Sequence, residues 1–184
     1  MDYGGESWHE SGWYDLNKAV SLLNDLVEQS EAYPEDEEIT VEVTDLEHFY
    51  PRPFAKELFE FLRDLNDPAY LLEPVEPLSD AWDQTGDYLG MWEIYLHYLY
   101  DHEGFKQLPR GDNMYSEFED TSPAIYDSLS EFAQNAVEEM GEMPEAWIAN
   151  YVDWDGLGES LMHGGDVSIV ELESMRGIGV YWYR

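Results

Sequence analysis

Residues 126–144 read YDSLSEFAQNAVEEMGEMP. Leu129, Phe132, Ala133, Ala136, Val137 and Met140 recur at i, i+3, i+4, i+7, i+8 and i+11, a single apolar stripe at the helical period. Ser128 and Glu131 have the spacing of a capping box, and Gly141 followed by Pro144 supplies a stop. The spacing predicts a helix from Ser128 to Met140. Its other faces carry Glu131, Glu138 and Glu139, with Glu142 just past the end. No Lys or Arg occurs between Arg110 and Arg176, so this acid has no local counter-charge.

Toward the C-terminus, PEAWIANYV predicts a short helix opening at Pro144, and a further helix is expected around Asp155 to Met162. VSIVE (167–171) and IGVYWY (178–183) read as strands joined by LESMRG, a hairpin. Toward the N-terminus, residues 104–114 form a Gly- and Pro-containing linker. YLGMWEIYLHYLYD (88–101) is apolar nearly all round, which suits a buried helix or an aromatic assembly surface. A helix is expected at about 78–84, and EPVEP (73–77) ahead of it reads as a stiff linker.

PRP (51–53) marks a boundary, with Pro53 suited to the first turn of a helix whose stripe is Phe54, Leu58, Phe61, Leu62 and Leu65. ITVEVTD (39–45) alternates as a half-buried strand does, and EAYPEDEE before it is a polar loop. A first helix, capped by Asp15 or Asn17, runs to about Ser30 on Ala19, Val20, Leu23, Leu26 and Val27. Residues 1–14 lack a period. The expected fold class is α+β, helix-rich and elongated, in two or three small lobes with short strands and hairpins. The segments are 1–52 (α+β), 53–110 (helical) and 111–184 (α+β).

The 184 residues hold 42 Asp plus Glu against 8 Lys plus Arg, a net charge of -34. Aromatic content of 15% sets the chain apart from a disordered acidic tail. A net charge of magnitude roughly 2–8 already keeps a small domain soluble. The excess costs stability by self-repulsion, so it calls for another reason. The acid is spread along the whole chain, which makes the surface negative throughout. Such a surface repels nucleic acid and anionic membranes and selects basic partners. There is no Cys, and therefore no disulfide or thiolate site. No leader opens the chain, and no apolar run approaches the ~20 residues that span a bilayer. The expectation is a soluble protein of the cytoplasm.

Enzyme chemistry finds little support. His9, His48, His97, His102 and His163 are scattered, and the five-residue step from His97 to His102 is not the i, i+4 zinc spacing. DWDGLGES (153–160) fails as a calcium loop, because Leu157 takes the fifth position and Gly164 the twelfth. Paired acids abound, but a glycosidase pair also needs a cleft and a set separation. No phosphate-cradling glycine loop is present. The chain is read as a non-enzyme with no cofactor and no metal.

The positive reading starts from geometry. B-DNA carries one charge per about 1.7 Å of axis. Carboxylates on successive exposed helical turns, about 5–6 Å apart, form a coarse copy of that field. A protein of this kind competes for the DNA groove of a basic enzyme, and salt weakens its binding.

The last third also resembles a known family. Phe118–Asp120, Tyr126–Leu129, Gly141, Pro144, Tyr151–Asp155, Gly164–Asp166 and the closing GVYWY are similar in order and spacing to the C-terminal part of the ArdA antirestriction proteins. SGWYDL (11–16) and ITVEVTDLE (39–47) resemble earlier stretches of that family more weakly. The resemblance implies small acidic proteins of plasmids, transposons and phages that mimic bent B-form DNA in the groove of type I restriction–modification enzymes. It also implies elongated homodimers of three-domain protomers. The family's antirestriction motif falls here on Ser128 to Glu142, near where its protomers meet. The family opens with an apolar strand that MDYGGESWHES does not supply, which implies a first domain that lacks an edge strand or is rearranged, and a shorter length of DNA mimicked.

The candidate phosphate-mimicking residues are Glu117, Glu119, Asp120, Asp127, Glu131, Glu138, Glu139, Glu142, Asp153 and Asp155. The candidate dimer residues are Phe132, Met140, Met143 and Trp147. The expected partner is the specificity or methyltransferase subunit of a type I enzyme, with no nucleic acid and no membrane bound. Two other classes compete. One is an inhibitor of a different basic partner, such as a CRISPR nuclease, a BREX component or a histone-like protein. The other is a halophilic protein whose acid only retains water and ions.

Overall fold

The computed structural model describes residues 15–32, 39–44, 46, 52–85, 88–102 and 114–183. The unperiodic start and the 104–114 linker lie outside the described residues, except Met114, which opens a helix. Eight helices and a three-stranded antiparallel sheet make up the described residues, a helix-rich α+β fold. No helix among them is long and apolar enough to cross a membrane.

Leu16–Ala32 (α1) is capped by Asp15, whose carboxylate accepts from the Lys18 N–H at 2.8 Å. Arg52–Arg63 (α2) buries Leu58 and Leu62. Pro68–Thr85 (α3) starts ahead of the expected linker and runs unbroken through Pro74 and Pro77. The stiff-linker reading of 73–77 is therefore corrected. Each proline removes an N–H from the helix and costs about 3 kcal/mol in isolation. Burial of Leu71, Pro74, Val75, Leu78 and Ala81 against α1 and the core offsets that cost. Residues 39–44 keep the expected in–out alternation but form no strand. Val41 and Val43 pack on the core, and the Val41 N–H donates to the Asn66 carbonyl. Alternation reports one buried side, and a strand also needs a pairing neighbour.

Leu89–His102 (α4) lies at the centre. Trp92, Ile94, Tyr95, Leu96, Tyr98 and Leu99 are all buried, so the aromatic run is core and not an assembly surface. Met114–Asp120 (α5) sends Tyr115 and Phe118 into the same core, where both rings meet Tyr95 edge-on.

Ala124–Tyr126 (β1), Val167–Glu171 (β2) and Ile178–Trp182 (β3) form a sheet in the order β1-β3-β2. The expected hairpin is present, with Ile169 opposite Val180 and Val167 opposite Trp182. β1 pairs on the other side of β3, Ala124 opposite Val180. The strand period of two splits β3 between two clusters. Tyr181 joins the larger cluster around α4, whereas Ile178, Val180 and Trp182 face a second cluster. Leu129–Glu139 (α6) and Trp154–His163 (α8) cover that second face through Phe132, Ala136 and Leu161. Ala146–Ala149 (α7) is a single turn between them. The larger cluster takes side chains from all three expected segments.

Candidate partner-binding surface

α6 starts as its sequence dictates. The Glu131 N–H donates to Ser128 Oγ at 3.2 Å. The Glu131 carboxylate reaches back to the N–H of Asp127, one residue before the cap, at 2.7 Å. The helix ends in a Schellman turn. Gly141 has φ of 73°, its N–H donates to the Glu138 carbonyl, and the Glu142 N–H donates to Val137. A residue with a Cβ is disfavoured there. Asp153 caps α8 by accepting from the Gly156 N–H at 3.0 Å, so the faint calcium-like stretch is a helix start. Gly158 lets α6 and α8 approach, since a Cβ there would lie 2.5 Å from Leu129 Cγ.

These elements hold the candidate acids. Glu117, Glu119 and Asp120 stand on the outer side of α5. Asp127, Glu131, Glu138, Glu139 and Glu142 stand along α6 and at its ends. Asp153 and Asp155 open α8. All ten are exposed. Glu131 and Asp153 double as helix caps, whereas the other eight make no such contact. No Lys or Arg pairs with any of the ten among the described residues, where ion pairs join Lys18 to Asp15, Lys56 to Glu60 and Arg63 to Asp64.

Several acids stand where they oppose the helices that carry them. α5 ends on Glu119 and Asp120, and α6 ends on Glu138 and Glu139, with no basic residue in either last turn. A helix C-terminus is the negative end of the macrodipole, and a charge there is worth about 0.3–1 kcal/mol, unfavourable for an acid. Neighbouring phenols register the field. Burial and then the Glu139 and Glu131 carboxylates push the Tyr126 phenol above its ordinary range. Burial and Glu119 do the same to Tyr115.

The four candidate dimer residues separate. Phe132 is only 1% exposed and packs in the second cluster against Tyr126 and Trp182. It belongs to the protomer core and is withdrawn as an interface residue. Met140, Met143 and Trp147 are 58%, 45% and 66% exposed. Ile148 and Tyr151 lie beside them in sequence and are also exposed. Sequence reasoning missed these two, because α7 is too short for its period to assign an outer face. The Trp147 indole N–H donates to Glu145 Oε2 at 2.7 Å. Among the described residues no group of three His, Asp or Glu side chains has a metal-holding arrangement.

Neither the search of curated proteins nor that of solved structures gives a match. The family model described as antirestriction protein (ArdA) matches residues 7–174, nearly the whole chain, which takes in every element from α1 to β2 and all ten candidate acids. The chain therefore belongs to the ArdA antirestriction protein family.

Proposed function

We propose that the protein inhibits type I restriction–modification enzymes, without catalysis, by presenting its carboxylates to the enzyme's DNA-binding groove in place of phosphates. The observation that carries this reading is the unpaired acid at the C-terminal ends of α5 and α6. Glu119, Asp120, Glu138 and Glu139 are exposed, lack basic partners among the described residues, and oppose the dipoles of their own helices. Folding is not served by this placement, and neither solubility nor capping requires it. A basic groove is served by it. Glu117, Asp127, Glu131, Glu142, Asp153 and Asp155 extend the same field, and each stands in for a phosphate by charge alone. The protein acts in the host cytoplasm, where its target works.

The functional unit is a homodimer. Its seam is built from Met140, Met143 and Trp147, which are exposed, whereas most other large apolar groups among the described residues are buried or half-buried. The N-terminal, middle and C-terminal segments supply successive stretches of the mimic.

Titration of a type I enzyme's DNA cleavage with the purified protein, at low and moderate salt, tests the reading. Inhibition that weakens steeply with salt and is relieved by added non-specific duplex DNA is expected. A pull-down from restriction-proficient cells should recover a specificity or methyltransferase subunit, lost at high salt. Recovery of an unrelated basic protein, with cleavage unaffected, would refute the choice of target. Unfolding at low salt without any partner would favour the halophilic reading.

A further inference from the structure

Glu93 is the one fully buried acid among the described residues, and no Lys or Arg pairs with it there. Its two carboxylate oxygens are spent on one object. Oε1 accepts from the Glu173 N–H at 2.7 Å and Oε2 from the Ser174 N–H at 2.9 Å. Two successive backbone N–H groups form a small anion-binding concavity, filled here by a side chain of the same molecule. A buried carboxylate is tolerable only when hydrogen bonds replace its water, and charge-assisted bonds are the strong ones.

The bond falls in the middle of a seam. Met175 packs on Gly90, one turn before Glu93, and Ile94 packs on Gly179. At the far end of α4 the Tyr181 hydroxyl donates to Asp101. The turn 172–177 and β3 are thus fastened along one side of α4, and Glu93 supplies the polar fastening at the turn. The opposite face of the same hairpin seats α6 and α8 through Val167, Ile169 and Val180. Those two helices carry seven of the candidate acids or hold them at their ends.

We infer that Glu93 is a positioning residue: by clamping the 173–174 backbone it fixes the hairpin on α4 and sets where the acids of α6 and α8 stand. This rests on the proposed function for its consequence, though the clamp itself can be read without any enzyme. Glu93→Gln is the test. The amide keeps the shape but turns an N–H toward one of the two backbone N–H groups, so one acceptor is lost. Glu138→Gln is the control, since it removes the same single charge from an exposed site.

Hydrogen exchange in the free protein should show the Glu173 and Ser174 amides opening at least tenfold faster in Glu93→Gln, with Glu138→Gln at the wild-type rate. With far-UV circular dichroism unchanged, half-inhibition by Glu93→Gln should require at least threefold more protein than by Glu138→Gln. Unchanged exchange at 173–174 would overturn the clamp. Faster exchange with the two variants equal as inhibitors would overturn the positioning role. If Glu93→Gln does not fold, Glu93→Asp takes its place, keeping the charge but shortening its reach, and is held to the same two comparisons with Glu138→Gln. Failure of the wild-type protein to inhibit would instead refute the proposed function, and the exchange result would still decide the clamp.

Discussion

The Tyr181 hydroxyl donates to Asp101 Oδ2 at 2.6 Å, tying the last strand to the last turn of α4. Burial, and then this bond, push the phenol far above its ordinary range. Tyr181→Phe removes the hydroxyl and leaves Asp101 at the surface, where water replaces the lost donor. A loss of about 1.5–3 kcal/mol is expected, the range for one hydrogen bond to a charged acceptor, read as a lower urea midpoint with unchanged slope. Spectrophotometric titration should also find a tyrosine in the wild type that stays protonated until the protein unfolds in alkali.

Phe132 and Trp147 should respond in opposite ways. Phe132→Ala empties a site in the second cluster and should cost about 3–5 kcal/mol of folding stability. Trp147→Ala should cost under about 1 kcal/mol, because the side chain is exposed. Trp147→Ala together with Met143→Ala should shift the protein toward monomer in light scattering at micromolar concentration. A wild-type monomer at that concentration would exclude the dimer.

His97 makes stability depend on pH. It lies on α4 between Glu93 and Asp101, with Glu173 of the hairpin turn facing it. Burial outweighs these three acids and lowers its proton affinity below the ordinary value of 6.5. The unfolded chain therefore takes up the proton first as pH falls. The contribution is intact above the unfolded value and is lost as pH falls below it toward the folded one. Urea midpoints measured at descending pH below about 6.5 should decline more steeply for the wild type than for His97→Gln.

The proposed function makes the inhibitory field a shared one, and from it follows that single neutralisations should be nearly silent. Glu117→Gln, Glu138→Gln or Asp155→Asn alone should change half-inhibition by less than about threefold, as expected of one exposed charge worth roughly 0.6 kcal/mol or less. Reversing Glu138, Glu139 and Glu142 together to Lys should weaken inhibition by on the order of a hundredfold or more, and should flatten its salt dependence. One neutralisation that abolished inhibition while its neighbours were silent would refute the shared field.

Gly141→Ala places a Cβ in the left-handed region and should destabilise by about 1–2 kcal/mol. The thermal midpoint reads this, and Gln134→Ala, two turns earlier in α6, serves as a mild reference.

Local signals were the legible ones. The Ser128 cap, the α6 stripe, the Gly141 stop and the 167–183 hairpin each depend on residues a few positions apart. Each stands where the spacing put it. What escaped depends on distant partners. β1 is three residues long and exists because β3 lies beside it. α3 survives its two prolines because α1 covers it. Residues 39–44 alternate but have no strand to pair with among the described residues. The site divides the same way. Exposure of the ten acids follows from their positions on amphipathic helices. The burial of Phe132 under Trp182 depends on a strand about fifty residues away. Glu93 was unreadable, since nothing local distinguishes one glutamate on an apolar helix as the receptor of a distant turn.

α4 acquires a further meaning when the order of synthesis is considered. Its apolar circumference is closed by α3 on one side and by β3 on the other, and β3 leaves the ribosome well after α4 does. Until then Ile94, Tyr95 and Tyr98 belong to an unfinished core, the sort of exposed surface by which nascent chains stick together. Repulsion between chains this negative keeps them apart during that interval. The surplus acid thus also keeps growing polypeptides apart, beside the role proposed for it in the finished molecule.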